Sequence, residues 1–560
     1  MPDPHIRPTF GYRRSADQDA PAPVRRPVVV VGGGPTGLSL AIDLALHHVP
    51  VVLLDEDDTV SAGSRGVCYA KRTLEVWDRL GVGEAVVAQG VAWQRGRVQH
   101  GDRLVWEFDL LPESGHRMPA FINLQQYLLE EGLIARTREL AGLDLRWRNR
   151  LIGLTAQGDH VALRVDTPEG PYDLECAWLI AADGARSLVR RQLGLEFVGQ
   201  TVRDRFLICD VVTEAAVPNL RQFWFDPPFH RERSVLVHRQ AGNMMRIDLQ
   251  LGWYSDAVAE AAPERVAIRL RRILGEDATF SVEAAEIYTF QCRRLERVVH
   301  GRGLFAGDAA HQVSPFGARG ANSGVQDADN LAWKLRLVMA GLAPAALLES
   351  YNGERVAAAD DNLREAARAA GFIAPRSPMA RALRDAALHL AARFSFAREF
   401  INSGRLSEPT VYVDSPLNTP DAAADGFAGG VPPGAPCVDA PLRRRGEADW
   451  LLRHLGSRFT ALVFAGDEPP PEQVTFLVAL PVPVHVLVIR VGEPAGGAGG
   501  ALADTGGLAC DRYDARLGTT YLVRPDQHVA ARWRRFDPAA IAAALGRVTA
   551  QPANALPVAA

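Results

Sequence analysis

The chain has 560 residues, 47% hydrophobic and 23% charged, with a formal net charge of -4. That length exceeds one compact core, so two to four domains are expected, and the charge balance excludes a general electrostatic pull toward nucleic acid or an acidic membrane surface. The six cysteines at 68, 176, 209, 292, 437 and 510 form no CxxC pair, which excludes a zinc site or disulfide framework, and no metal is expected. The first 27 residues lack the apolar run of a signal peptide, and no stretch of 18 apolar residues occurs elsewhere. A cytoplasmic protein with no membrane contact is the expectation.

Residues 1–25, rich in Pro, Arg and Asp, read as a disordered tail. From Pro27 the chain reads strand (Val28–Val31), glycine turn, helix (Leu38–Leu46) and strand (Val51–Leu54), one βαβ unit. A helix is predicted over Lys71–Leu80, ended by Gly81, and another over about Leu124–Leu140. Residues 90–118 and 143–181 have strand character, and alternating runs over 200–290 predict an antiparallel sheet inserted as a separate domain. Gly303–Ala306 is an apolar strand feeding a glycine-rich loop and a helix from about Asn322 to Met339; residues 343–405 read as mostly helical. Pro, Gly, Ala and Asp mark a linker at 414–436, and apolar runs over 437–550 predict a small α/β domain with a flexible Gly492–Gly500 loop. The domain plan is a dinucleotide-binding part over 26–195 and 296–345, a sheet domain over 196–295, helices over 346–413, linker and end domain.

Gly32, Gly34 and Gly37 make G-x-G-x-x-G between strand and helix. The first glycine allows the tight turn, the second lets backbone approach a pyrophosphate, and the third allows helix–strand packing. Pro35 and Thr36 open the helix whose N-terminal N–H groups face the phosphate. Asp55 follows Gly37 by 18 positions at the end of the second strand, where a carboxylate accepts from a ribose diol. This motif alone leaves FAD and NAD open.

Two later segments decide for FAD. "WLIAADGARS" carries Asp183 after an apolar strand, and "GLFAGDAAHQVSPFGARGANSG" carries Asp308, Pro315, Gly317 and Gly320 ahead of a helix. An aspartate at a strand end can bind a polyol, and a helix N-terminus can stabilise negative charge on a reduced flavin. With these three motifs in this order, residues 27–405 resemble the class A flavoprotein aromatic hydroxylases, the group of para-hydroxybenzoate hydroxylase. The pattern is most similar to the longer phenol hydroxylase and 3-(3-hydroxyphenyl)propionate hydroxylase branch.

The resemblance implies a Rossmann-like α/β FAD domain with an inserted antiparallel-sheet substrate domain and a thioredoxin-like C-terminal domain. It implies that Gly32, Gly34 and Gly37 hold the ADP part of FAD, with Asp55 on the ribose. Arg65 matches an arginine that reaches FAD, Gln125 a glutamine near the flavin chain, and Leu151 a backbone contact to adenine. Asp183 is linked to FAD and to nicotinamide binding, and Asp308 to the ribityl chain. Pro315 and Gly317 lie beside the reactive edge of the ring, with backbone N–H groups of Gly320, Ala321 and Asn322 on its pyrimidine side. Relatives read G-G-Q-G where this chain reads Gly317-Ala318-Arg319-Gly320, so Arg319 either adds charge near the ring or points to solvent.

The implied reaction uses NADH or NADPH and O2, through a flavin C4a-hydroperoxide, to hydroxylate a small aromatic substrate, phenolic, anilinic or heteroaromatic. No second GxGxxG serves the nicotinamide, and the end domain, lacking CxxC, reads as structural or as a homodimer contact. No catalytic base emerges. His238, Tyr254 and Tyr288 read as packing or surface residues before catalytic ones, and Phe223 and Trp224 as core. His311 reads as a loop-ordering residue. Arg246 resembles a family arginine that contacts FAD, with a solvated strand position as the alternative. The competing functions are a polyketide-tailoring oxygenase, an epoxidase and a non-catalytic flavin-binding protein; the absence of a WxWxIP segment speaks against a halogenase.

Overall fold

The computed structural model describes residues 7–63, 65–214, 218–252, 254–315, 317–375, 377–398, 401, 407–492 and 501–551. Two compact units emerge: one within 1–112, 119–327 and 359–408, the other within 113–118, 328–358 and 409–560.

The first unit is built on a largely parallel sheet. Strand Val24–Val31 lies between Tyr172–Ala181 and Val51–Leu54, parallel to both, with Leu143–Arg146 beyond the latter and Gly303–Phe305 beyond the former. Val28–Val30 are fully buried, as a strand covered on both faces must be. The register carries the function of this sheet. Val31 pairs with Leu54 and Ala181, and Ala181 with Phe305. The loops after all four strands therefore leave one edge together, the carboxyl edge where ligands bind in open α/β sheets.

The inserted sheet is present. Among the described residues it has eight strands, and its central run is Phe280–Leu295, Phe197–Thr213, Met244–Gln250, Ser234–Arg239 and Arg221–Phe225, each antiparallel to the next. Arg95–His100 joins Arg221–Phe225 in parallel, so part of the 90–118 region belongs here. Both faces are covered: one packs on Ala369, Ile373 and Leu388, the other on Val266 and Leu270 from helix Pro263–Leu274. A small sheet of Cys68–Ala70, Phe121–Asn123 and Val91–Trp93 lies in the same unit.

The expected disordered tail is corrected for residues 7–25. Asp17 is buried between Arg26 and Arg146, Phe10 stacks on Trp147 at 4.5 Å, and Val24 already belongs to the first strand. A buried carboxylate bonded to two guanidiniums and a stacked aromatic pair give this polar segment the partners that composition alone could not supply. The helices fall close to expectation, at Lys71–Arg79, Gln126–Thr137 and Gly320–Met339.

The second unit holds a seven-stranded mixed sheet among its described residues. Its strand Phe459–Ala465 runs parallel to Val484–Val491 and antiparallel to Thr520–Val523. Residues 414–436 are no free linker: Arg532 pairs with Asp421 at 2.6 Å, Thr419 N–H donates to the Ala530 carbonyl, and Gly430 abuts Tyr513. Residues 346–413 are helical over Leu347–Ile373, Pro378–Ala391 and Ser395–Arg398, and the boundary between the two units falls inside the first of these helices. Glu354 is buried at the centre of an ionic network, accepting from Lys334 at 2.7 Å and from both Nη atoms of Arg524 at 2.7 and 3.0 Å. Of the Gly492–Gly500 loop, residues 493–500 lie outside the described residues. All six cysteines are free thiols. Among the described residues no helix is long and apolar enough to cross a membrane.

Candidate active site

One cavity of about 900 Å³ runs through the first unit, at the upper end of the ~300–1,000 Å³ typical of ligand clefts. Its mouth is the carboxyl edge of the parallel sheet. Gly32 adopts φ +105°, and a Cβ there would sit 2.4 Å from the Ala182 carbonyl oxygen. A Cβ on Gly34 would meet nothing within 4 Å, so its backbone is open to the cavity with Pro35 and Thr36. Gly37 does not line the cavity; it packs against Gly32 and Ala182, the third-glycine role. Sequence reasoning passed over Gly33, whose N–H donates to Asp55 Oδ2 at 2.5 Å and whose Cβ would lie 2.7 Å from that oxygen. Burial raises the Asp55 carboxyl to about 6 against the pull of the Asp57 and Gly33 N–H groups.

Arg65, Leu151, Asp183, Asp308, Pro315, Gly320 and Ala321 also line the cavity. Asp183 accepts from Val189 N–H at 3.1 Å through Oδ2, while its buried Oδ1 has no partner among the described residues. The Asp308 side chain is open to the cavity rather than covered by protein, and enclosure by the walls raises its pKa against the pull of His311 and Arg65. His311 is bonded to Asp327 at 2.7 Å, and Asp327 also accepts from Gly307 N–H, so the histidine orders this loop. Thr36 is wedged between Gly307 and Gly324: a Cβ on either would come within 2.8 or 2.3 Å of its hydroxyl oxygen.

Three expected residues stand elsewhere. Gln125 caps the helix Gln126–Thr137 and donates to the Ala241 carbonyl at 3.2 Å, away from the cavity; the lining glutamine is its neighbour Gln126, which accepts from Gly66 N–H. Asn322 is fully buried and clamps the start of helix Gly320–Met339 to Cys68 and Ala70. Gly317 lies in the preceding turn at φ +94°, beside Arg319. Arg319 itself is resolved toward the interior: it lines the cavity, is 6% exposed, and donates to Asn362 at 2.9 Å.

The inner end of the cavity belongs to the second sheet and is buried, polar and cationic. Arg246 is 6% exposed, not solvated; it forms a bidentate pair with Asp210 at 2.8 and 2.9 Å and donates to the Arg65 carbonyl. His238, its cross-strand neighbour, lines the same wall with Arg221 and Asp248. Burial pushes His238 well below its ordinary value, reinforced by the Arg221 and Arg246 charges, so it is neutral. Burial also raises Asp248 to about 6. Tyr288 and Phe290 add aromatic surface. Tyr254 is 95% exposed and outside the site, and Phe223 and Trp224 pack in the sheet core. Sequence reasoning missed Arg221, Asp248 and Glu130, which also line the cavity; only Asp248 carried a signal, the period-two polar row Arg246, Asp248, Gln250 on an otherwise apolar strand.

The group that these residues fit is a dinucleotide with a ring system. The open backbone at Gly34, the unpartnered Asp183 oxygen, the cations Arg65, Arg186 and Arg191 along the walls, and the 20-residue helix ending on the cavity at Gly320 match a pyrophosphate, a polyol and an anionic ring edge.

Comparison with known proteins agrees. Residues 25–366 match the model of a family described as FAD binding domain. The sequence is 29% identical over 552 residues to 6-methylpretetramide 4-monooxygenase of Streptomyces rimosus, covering 95% of each chain. It is 28% identical over 397 residues to a 3-(3-hydroxy-phenyl)propionate/3-hydroxycinnamic acid hydroxylase of Mycolicibacterium smegmatis, 70% of each chain. The structure superposes with a TM-score of 0.79, at 25% identity, on the flavin-dependent monooxygenase PieE solved with FAD and substrate, covering 95% of this chain and all of that one.

Proposed function

This chain belongs to the FAD binding domain family and, within it, to the class A flavoprotein aromatic hydroxylases, and from that premise we propose that it hydroxylates a phenolic polycyclic substrate with NADH or NADPH and O2. The observation that carries the reading is the continuity of one cavity from the glycine turn to the buried polar wall of the second sheet. It supports a flavin at the mouth end and a second, aromatic ligand at the inner end.

Gly32, Gly34, Pro35, Thr36 and Asp55 would hold the ADP part of FAD, with Gly37 supporting the turn. Arg65 and Gln126 would flank the chain, Leu151 the adenine, and Asp183 and Asp308 the polyol. Pro315, Gly320 and Ala321 would border the ring, and helix Gly320–Met339 would direct its positive end there. When bound, FAD supplies the two-electron link between nicotinamide and O2 that delivers an electrophilic oxygen atom. The protein's part is to exclude water and orient the substrate: Tyr288, Phe290 and Ile208 give apolar contact, and the Arg221–His238–Asp248 wall gives polar register. In the second unit we assign a thioredoxin-like arrangement with a structural role, since its two cysteines, Cys437 and Cys510, are distant in sequence and form no CxxC pair.

The full-length likeness to 6-methylpretetramide 4-monooxygenase favours a polycyclic substrate. A single-ring phenolic acid is the second reading, favoured by the likeness to the propionate hydroxylase. The test is NADH and NADPH oxidation by the yellow protein across tetracyclic phenols and phenolic acids, with O2 uptake and product mass followed together. A polycycle gaining one oxygen atom supports the proposal. Oxidation stimulated only by phenolic acids, with oxygen inserted, moves the assignment to the second reading. No insertion into any member overturns both.

A further inference from the structure

We infer that His238 is the catalytic proton acceptor for a hydroxyl group on the substrate's aromatic ring, fixed in its Nδ1–H tautomer by Cys68; this rests on the hydroxylase reading above. The tautomer follows from a chain of hydrogen bonds whose direction is forced. The Trp93 indole can only donate, and it donates to Asn123 Oδ1 at 2.8 Å, while Asn123 Nδ2 donates to the Arg239 carbonyl at 2.6 Å. The amide orientation is thereby set. Cys68 Sγ lies 3.0 Å from the same Oδ1, which can only accept, so the single thiol hydrogen points there. The sulfur is left as an acceptor toward Arg221 Nη1 at 3.3 Å and His238 Nδ1 at 3.7 Å. Burial raises the Cys68 thiol, which keeps its proton. His238 therefore donates from Nδ1, and its lone pair is on Nε2.

That Nε2 is buried and has no partner among the described residues, although His238 lines the cavity at 2% exposure. Arg221 Nε and Asp248 Oδ1 on the same wall are likewise buried and unpartnered. A buried acceptor and donor left without partners cost free energy unless a ligand satisfies them. The charged groups around His238 are Arg221 on strand Arg221–Phe225 and Arg246 and Asp248 on strand Met244–Gln250, with neutral Cys68 behind; Arg246 is committed to Asp210. Two cations beside a neutral imidazole suit a ligand oxygen that donates a proton and then carries negative charge.

The chemistry balances. As a ring carbon bonds to the incoming oxygen atom, the electron pair of the substrate O–H bond becomes the π bond of a dienone carbonyl, and the proton moves to Nε2. The protonated dienone oxygen is strongly acidic, so an imidazole of low basicity suffices at that moment. When the ring C–H proton leaves to solvent and aromaticity returns, Nε2–H gives its proton back to the carbonyl oxygen; the O–O bond breaks in the transfer, and the second oxygen atom of O2 departs as water. O2 is the oxidant and the nicotinamide the reductant.

The experiment compares the FAD-loaded wild type with His238→Ala and His238→Gln. Calorimetric binding of 1-naphthol and 1-methoxynaphthalene reads the hydroxyl contact without turnover. The wild type is expected to favour the naphthol at least tenfold, and H238A to bind both within threefold. With the substrate that the panel identifies, hydroxylation falls about 100-fold or more in both variants, and added imidazole restores at least tenfold in H238A but not in H238Q. A merely structural histidine would not give imidazole rescue confined to the alanine variant. If H238A does not fold, H238Q carries the rate comparison. Turnover within threefold of wild type in either variant, or a wild type indifferent to the hydroxyl, overturns the role of His238 and leaves the hydroxylase reading standing. A wild type that inserts oxygen into no phenol removes that reading, and this inference with it.

Discussion

A Cβ on Gly37 would sit 2.0 Å from the carbonyl oxygen of Gly32. The first glycine of the motif and the third are thus in contact through backbone, and neither can give without reshaping the turn. Gly37→Ala is expected to lower the melting temperature by an amount corresponding to ~1–3 kcal/mol. It is also expected to purify with less than a tenth of the wild-type flavin absorbance per chain. Normal flavin content in this variant would show that the turn is softer than its contacts require.

Asp55 carries a cost that binding would relieve. Its carboxyl holds its proton to about pH 6 in the fold, against an ordinary value of 3.8. The folded state therefore binds more protons than the unfolded one between those values, and this group's contribution falls as pH rises through them. Above pH 6 the deficit is constant, at most about 3 kcal/mol. The flavin-free Asp55→Asn protein is expected to melt higher than wild type at pH 7 and equally at pH 3.5, while holding FAD more weakly. Melting curves of both proteins at the two pH values check the sign.

Removing one partner of the Arg246–Asp210 pair leaves a charge in a wall that is less than 10% exposed. Asp210→Asn is expected to cost ~3–5 kcal/mol, and the double variant Asp210→Asn, Arg246→Met less than the single one. Urea denaturation of the three proteins measures the order.

In the second unit Glu354 answers two buried cations. Glu354→Gln keeps the shape and loses the charge, and ~3–5 kcal/mol of stability is expected to go with it. Losing less than 1 kcal/mol in denaturant titration would mean that Lys334 gives up its proton, which burial already lowers to about 8.

Arg319 adds a cation to the wall beside Gly320, at the position where the family pattern implies glutamine. With the flavin ring at that position, Arg319→Gln withdraws about 1 kcal/mol of stabilisation from the reduced, anionic form. The two-electron potential is expected to fall by roughly 20 mV. Spectroelectrochemical titration gives the value; an unchanged potential would place the guanidinium's influence elsewhere, on Asn362.

The parts of the site legible in the sequence are those whose chemistry is local. A strand, three glycines and an aspartate at fixed spacing announce the turn, because the turn is made by those residues alone. The two strand-end aspartates were legible for the same reason. What escaped was long-range. Gln125 and Gln126 are adjacent and chemically identical; only the start of the helix at 126 turns one into the cavity and the other toward Ala241. Asp17 and Phe10 look like tail residues until Arg146 and Trp147 come beside them from 129 and 137 positions away. In Met244–Gln250 the row Arg246, Asp248, Gln250 reads as a solvent face, yet the strand is buried on both sides because the other face of its sheet is also covered.

The wedge of Thr36 between Gly307 and Gly324 ties together three positions that are far apart in the chain. Each is an acceptable neighbour only while the other two stay as they are. Drift at any one of them is thus conditional on the rest: an alanine at 324 is tolerable only after residue 36 has become glycine or serine turned aside. The three positions are therefore expected to change together, and chimeras that join the first βαβ unit of one relative to the later loop of another will fail or succeed on whether that triplet is kept whole.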